Sequence, residues 1–98
     1  MNLNEKQKKH LRGLAHDLKP IIHVGAGGIS TGLTDELGRT LDHHELVKVR
    51  IRIGDRDTRD RAIDEIVAKT GASLVARIGN TAIVYKRRED SPGIELPN

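Results

Sequence analysis

Between Leu46 and Ile53 the chain alternates with a period of two: Val47, Val49, Ile51 and Ile53 on one side, Lys48, Arg50 and Arg52 on the other. Successive side chains of a β-strand point to opposite faces, so this run predicts a strand with one face in a core and a row of cations on the other. Three like charges on one strand face repel one another. Acidic neighbours on a solvated face would offset that repulsion, and so would a polyanion; the alternation leaves both readings open. The apolar side needs a covering layer, and the chain has 98 residues to build it, enough for one domain but not for two separate cores.

Composition narrows the possibilities further. There is no Cys, which removes disulfides, thiolate catalysis, iron–sulfur clusters and most structural zinc sites. There is no Phe or Trp and only Tyr85, so the core is aliphatic and a set of aromatic stacking platforms for bases is excluded. Seventeen Lys and Arg against fourteen Asp and Glu give a net charge of +3, a balance that fits neither a disordered polyelectrolyte nor a membrane protein. The longest stretch without a charged residue, Pro20 to Thr34, is interrupted by Gly25, Gly27, Gly28 and Gly32 and is too short to span a bilayer. No apolar signal core follows the basic N-terminus, so the expected location is cytoplasmic, without membrane contact.

The rest of the chain supplies helices between strands. Asn4 is positioned as an N-cap with Gln7 three residues on, and Leu11, Leu14, Ala15 and Leu18 form an apolar stripe before Pro20. Ile21 to Val24 reads as a short buried strand ending at Gly25-Ala26-Gly27-Gly28. Ser30 can cap a second helix with Leu33, Leu37 and Leu41 on one face; Gly32 and Gly38 inside it suggest close packing or weaken the helix. Asp55 or Asp57 caps a third helix carrying Ala62, Ile63, Ile66 and Val67, and Gly71 stands where a C′ glycine belongs. Ala72 to Ile78 and Thr81 to Arg87 read as two strands joined by the tight turn Gly79-Asn80. The expected fold is an α/β two-layer sandwich of order α-β-α-β-α-β-β. Its four-stranded mixed sheet has one face under helices and the other partly open. Residues 89 to 98 read as a C-terminal tail after a domain over residues 1 to 88.

Candidate chemistry is sparse. A glycine turn between strand and helix is either a tight connection or a backbone clamp on phosphate, as in the GXXG loop of KH domains. It lacks the lysine and serine of a P-loop and the full dinucleotide fingerprint. His10, His16, His23, His43 and His44 offer possible bases, but the adjacent pair His43-His44 has the wrong spacing for two metal ligands on one helix face. Ser30, Ser73 and Ser91 have no nucleophile-elbow context. Arg56, Arg59 and Arg61 alternate with Asp55, Asp57 and Asp60 as in a self-paired helix surface. No catalytic constellation, metal or cofactor is expected.

The order of elements carries a resemblance, together with Leu3 to Gln7, Leu11 to His16, the Leu18-Lys19-Pro20 boundary, Val24 to Ser30 and His43 to Val49. These residues closely resemble the CRM (chloroplast RNA splicing and ribosome maturation) domain family, above all its bacterial single-domain, YhbY-like members, over about residues 2 to 88. The resemblance implies a fold similar to the C-terminal domain of translation initiation factor 3. It also implies a monomeric RNA-binding protein, not an enzyme, that associates with precursors of the large ribosomal subunit and takes no small-molecule substrate. The family's glycine loop maps onto Gly25, Ala26, Gly27 and Gly28. Many members carry a cation or polar side chain inside that loop, whereas this chain has only Ala26 and Gly27, so contact to phosphate through the backbone is expected. The family's basic surface maps onto Lys8, Lys9, Arg12 and Lys19 at the front of the chain, Lys48, Arg50 and Arg52 in the alternating strand, and Arg77, Lys86 and Arg87 in the final hairpin. The alternative from another class is a protein-interaction module that docks on a ribosomal or regulatory protein through the basic open sheet face.

Overall fold

The computed structural model describes residues 2–98. In chain order it contains α1 (Glu5–Ala15), β1 (Ile22–Val24), α2 (Thr31–His44), β2 (Leu46–Ile51), α3 (Arg56–Thr70), β3 (Ser73–Ile78) and β4 (Thr81–Tyr85). Each helix begins where a side chain satisfies an amide that has no partner within the helix. Asn4 accepts from the Gln7 amide at 2.8 Å while the Gln7 side chain accepts from the Asn4 amide at 3.0 Å, a complete capping box. Ser30 accepts from Leu33 at 3.1 Å, and of the two candidate acids it is Asp55 that caps α3, accepting from Thr58 at 2.9 Å. Gly71 closes α3 at φ 76°, the left-handed conformation that favours glycine.

The sheet order is β1-β2-β4-β3. β1 pairs with β2 in parallel, as a strand–helix–strand crossover requires, and β4 runs antiparallel to both of its neighbours. The apolar side of β2 (Val47, Val49 and Ile51), with Ile22, Val24, Ala82 and Val84, packs under Leu37 and Leu41 of α2 and Ala62, Ile63 and Ile66 of α3. The glycines of α2 take no part in close packing. A Cβ on Gly38 would meet nothing within 4 Å, and one on Gly32 would meet only Ser30 Oγ at 3.9 Å.

The other sheet face is covered over part of its length. Leu11 and Ala15 of α1 pack on Leu46, Val75, Ile83 and Tyr85. Leu14 and Leu18 were expected in the same stripe, yet they are 46% and 40% exposed, because α1 stops at Ala15 and touches the sheet along a single row of side chains. The tail after Arg88 forms no helix or strand but runs back beside α1, where Ile94 and Leu96 join the same cluster and Gln7 Nε2 donates to the Pro97 carbonyl at 3.0 Å.

Glu45 anchors that tail. It ends α2 with φ 62° and is buried, and its carboxylate accepts from the Gly93 amide at 2.8 Å, the Arg88 amide at 2.9 Å and the Ile94 amide at 3.0 Å. The Arg88 guanidinium lies 4.0 Å from the same carboxylate and donates to the Asp42 and His43 carbonyls at the end of α2. Burial pushes the Glu45 carboxyl up, but the three backbone amides and the Arg88 charge together outweigh it and hold the group below its ordinary 4.5. A carboxyl depressed on folding stabilises the fold fully above its unfolded value and loses that contribution as pH falls through the folded value. Melting temperature is therefore expected to fall as pH drops below about 4.5. Glu45→Gln should melt lower at neutral pH and show a shallower acid decline. Thermal melts of both proteins across the acid range check this; parallel declines would mean that the carboxylate is not the group titrating.

Candidate nucleic-acid interface

The polar side of β2 faces the part of the sheet that α1 leaves open. Register builds the site from here: Arg50 stands opposite His23 of β1 and Thr81 of β4, and Thr81 stands opposite Ile78 of β3. One register step away, Lys48 stands opposite Ile83. Lys48 Nζ reaches the His16 carbonyl beyond the end of α1 at 3.4 Å, and Lys19 lines the same depression as Lys48 on that side. None of Lys19, Lys48, Arg50 and Arg52 has a carboxylate partner among the described residues. Among the described residues, no ion pair of the kind that neutralises an ordinary solvated face is formed along this row.

The row leads to the glycine turn. The Arg52 amide donates to the Val24 carbonyl at 2.8 Å, which fixes the end of β2 beside the first residue of the turn. Gly25 to Gly28 is closed by a hydrogen bond from the Gly28 amide to the Gly25 carbonyl at 3.0 Å. Gly28 adopts φ 74°, so a left-handed residue turns the chain toward Ser30 and α2. Gly25, Ala26 and Gly27 are exposed, and a Cβ on either flanking glycine would meet nothing within 4 Å. Unlike α1 with Glu5 and α3 with Asp57, α2 has no acid in its first turn, so its positive end is not neutralised by its own side chains. A strip results that runs from Lys19 and Lys48 through Arg50 and Arg52 to exposed glycine backbone at a helix N-terminus. Such an arrangement has the charge and the exposed backbone to accommodate a line of phosphates.

The other sequence-predicted cations lie apart from it. Arg77 is opposite Ala82, whose side chain belongs to the helix-covered face, so Arg77 points to α3 and pairs with Asp60 at 2.8 Å. Its Nε–H is not aimed at that carboxylate, so the contact is an ion pair without a well-formed hydrogen bond. Asp60 also reaches Arg56 at 4.0 Å, the self-pairing expected for that surface. Lys86 donates to the Thr70 carbonyl at 2.9 Å and so completes the C-terminal end of α3. Lys8 pairs with Glu5 at 3.8 Å and lines a depression with Leu3, Val67 and Leu74 on the β3 side. Lys9 and Arg12 are exposed on α1, and Arg87 lies beside the tail with Gln7 and Pro92. Sequence reading missed His23, Thr81, Ile78 and Pro20 as members of the open face. Only strand register brings them beside Lys48 and Arg50, and a single sequence does not fix which strands are neighbours.

Known proteins share the sequence and the fold of this chain. The profile of the CRS1 / YhbY (CRM) domain family matches residues 3–86. An RNA-binding protein of Haemophilus influenzae is 40% identical over 95 residues, covering 97% of this chain and 95% of its own length. A probable RNA-binding protein of Pseudomonas aeruginosa is 39% identical over the full chain and 93% of its own length. The solution structure of a candidate RNA-binding protein from Staphylococcus aureus superposes with a TM-score of 0.84 at 33% identity, covering 98% of this chain and all of that one. By the extent of the family match and by these full-length similarities, the chain belongs to the CRS1 / YhbY (CRM) domain family.

Proposed function

We propose that this protein is a cytoplasmic, monomeric RNA-binding protein that engages RNA along the strip from Lys19 to the Gly25–Gly28 turn. We further propose that its target is ribosomal RNA in precursors of the large subunit, where it assists assembly. The observation that carries the first part is the row of cations without carboxylate partners along and just past β2, which ends beside the exposed Gly25–Gly27 backbone ahead of α2, a helix with no acid in its first turn. Cations without carboxylate partners suit a ligand that brings many negative charges in a line. The RNA-binding names of the relatives from Haemophilus influenzae and Pseudomonas aeruginosa support the same reading. In this reading the role is binding and positioning of RNA.

If about five phosphates are neutralised, log K for a single strand should fall against log salt with a slope near −3.5. Replacing Lys48, Arg50 and Arg52 together by Glu should abolish binding and leave the circular dichroism spectrum native, since these side chains point away from the helix-covered core. Filter binding over a salt series measures both. Flat salt dependence contradicts the phosphate track, and a partner association that survives RNase would instead favour docking on a protein.

The glycine turn gives a second test. Gly28 is already left-handed, so Gly28→Ala should destabilise the fold by about 1 kcal/mol and confuse any binding result. Gly27 has open space around it and no positive φ. Gly27→Ala should leave melting and RNA affinity nearly unchanged, whereas Gly27→Asp should melt normally yet weaken binding severalfold at low salt and less at high salt. Equal affinities for the parent and the Asp variant would reduce the turn to a connection.

A further inference from the structure

A groove crosses the open sheet face between Pro20, Lys48, Arg50, Ile78, Thr81 and Ile83, with a volume of 160 Å³. At about 30 Å³ per molecule that is the room of roughly five waters, well below a drug-sized ligand site. Its walls are of two kinds. Ile83 and Pro20 give it an apolar base, and Ile78 extends it from the edge strand β3 while 63% exposed, the most exposed large apolar side chain described. The polar wall consists of Lys48 and Arg50, which only donate, and the Thr81 hydroxyl, which can also accept. The Arg50 guanidinium forms no hydrogen bond or ion pair among the described residues, and its terminal N–H groups, unlike the enclosed Nε, are open to an acceptor that a ligand would bring.

We propose that this groove is a slot for one unstacked base of single-stranded RNA, with uracil preferred; the proposal rests on the RNA-binding reading above and specifies the substrate class of that site. A planar ring lies against the aliphatic surface of Ile78, Ile83 and Pro20 by dispersion and exclusion of water, with no aromatic platform required. The carbonyl oxygens on its edge accept from the terminal N–H groups of Arg50 and from Lys48, and its ring N–H donates to Thr81. Uracil presents two carbonyls flanking one N–H and matches this wall. Adenine has no carbonyl, cytosine turns an amino donor toward donors, and guanine is a two-ring base in a small groove. An aliphatic protein side chain would fill the apolar base but leave the Arg50 guanidinium without an acceptor. An acidic peptide would meet the cations but leave Ile78 exposed. The sugar–phosphate chain on either side of the slot meets Lys19 at one end and Arg52 with the glycine turn at the other, so base and backbone are held in one path.

The test is the affinity of the intact protein for short oligouridine and oligoadenine strands of equal length, by fluorescence anisotropy over a salt series. Adenine strands stack on themselves, so the informative quantity is the change in the uridine-to-adenine ratio between variants. The parent should prefer oligouridine by about tenfold. Ile78 is mostly exposed, so Ile78→Ala should fold normally. It should weaken oligouridine severalfold, leave oligoadenine nearly unaffected and keep the salt slope. Arg50→Lys keeps the charge but removes the planar guanidinium with its fixed donors, and should lower the ratio in the same way. Equal affinity of the parent for both strands with a normal salt slope overturns the slot and leaves the phosphate track standing. An unchanged ratio in both variants does the same. Absence of salt-dependent binding to either strand overturns the slot together with the RNA reading.

Discussion

The burial of the Val47, Val49 and Ile51 face of β2 beneath α2 and α3 fixes where everything else stands. Because the side-chain period of a strand is two, seating those residues in the core commits Lys48 and Arg50 to the opposite face, and a slip of one residue would place cations in the core. β2 also lies between β1 and β4, so the same register that buries valine sets His23 and Thr81 on either side of Arg50. The parallel pairing with β1 carries the end of β1, and with it the glycine turn, to the end of the cationic row. Core packing and the charged strip are thus two consequences of one register.

The extent of the open face is set from the other end of β2. Glu45 is buried at the junction of α2 and β2, and its carboxylate gathers the tail through three backbone amides while its own carbonyl accepts from the Lys86 amide at 2.8 Å. Charge-assisted hydrogen bonds of this kind offset the desolvation of a carboxylate only when several act together, as they do here. The anchored tail and α1 cover the Leu46 and Tyr85 end of the sheet. Lys48, Arg50, Thr81 and Ile78 remain accessible because that cover stops short of them. In the reading proposed above, a bound strand of RNA would occupy the remainder and give the exposed Ile78 and the unpartnered Arg50 guanidinium the surroundings they lack in the free protein.

Features with a local physical cause could be read from the sequence. The capping residues Asn4, Ser30 and Asp55, the left-handed Gly71, the Gly79-Asn80 turn and the alternation in β2 all act within a few residues of chain, and each lies where those rules put it. Features that depend on a distant partner could not. Leu14 and Leu18 share a helical period with Leu11, but periodicity does not say how wide a strip of sheet meets the helix. Arg77 and Lys86 looked as available as Arg50, yet Asp60 and the end of α3 engage them. Glu45 carries no local signal of burial, because its partners lie more than forty residues along the chain at Arg88, Gly93 and Ile94. Of the candidate site, the turn and the β2 row were legible. The division of the remaining cations into those free for a ligand and those held by the fold was not.

Mapping amide chemical shifts of the isotope-labelled protein during titration with single-stranded RNA tests the central claim most directly, because it reports which face the strand covers without altering any residue. The account requires the largest changes at His23, Gly25 to Gly28, Lys48, Arg50, Arg52 and the Ile78–Thr81 turn, with α3 and its Arg56–Asp60–Arg77 cluster essentially still. Changes centred on α3 and Arg77, with the glycine turn and β2 unmoved, would place the RNA on the helical side and contradict it.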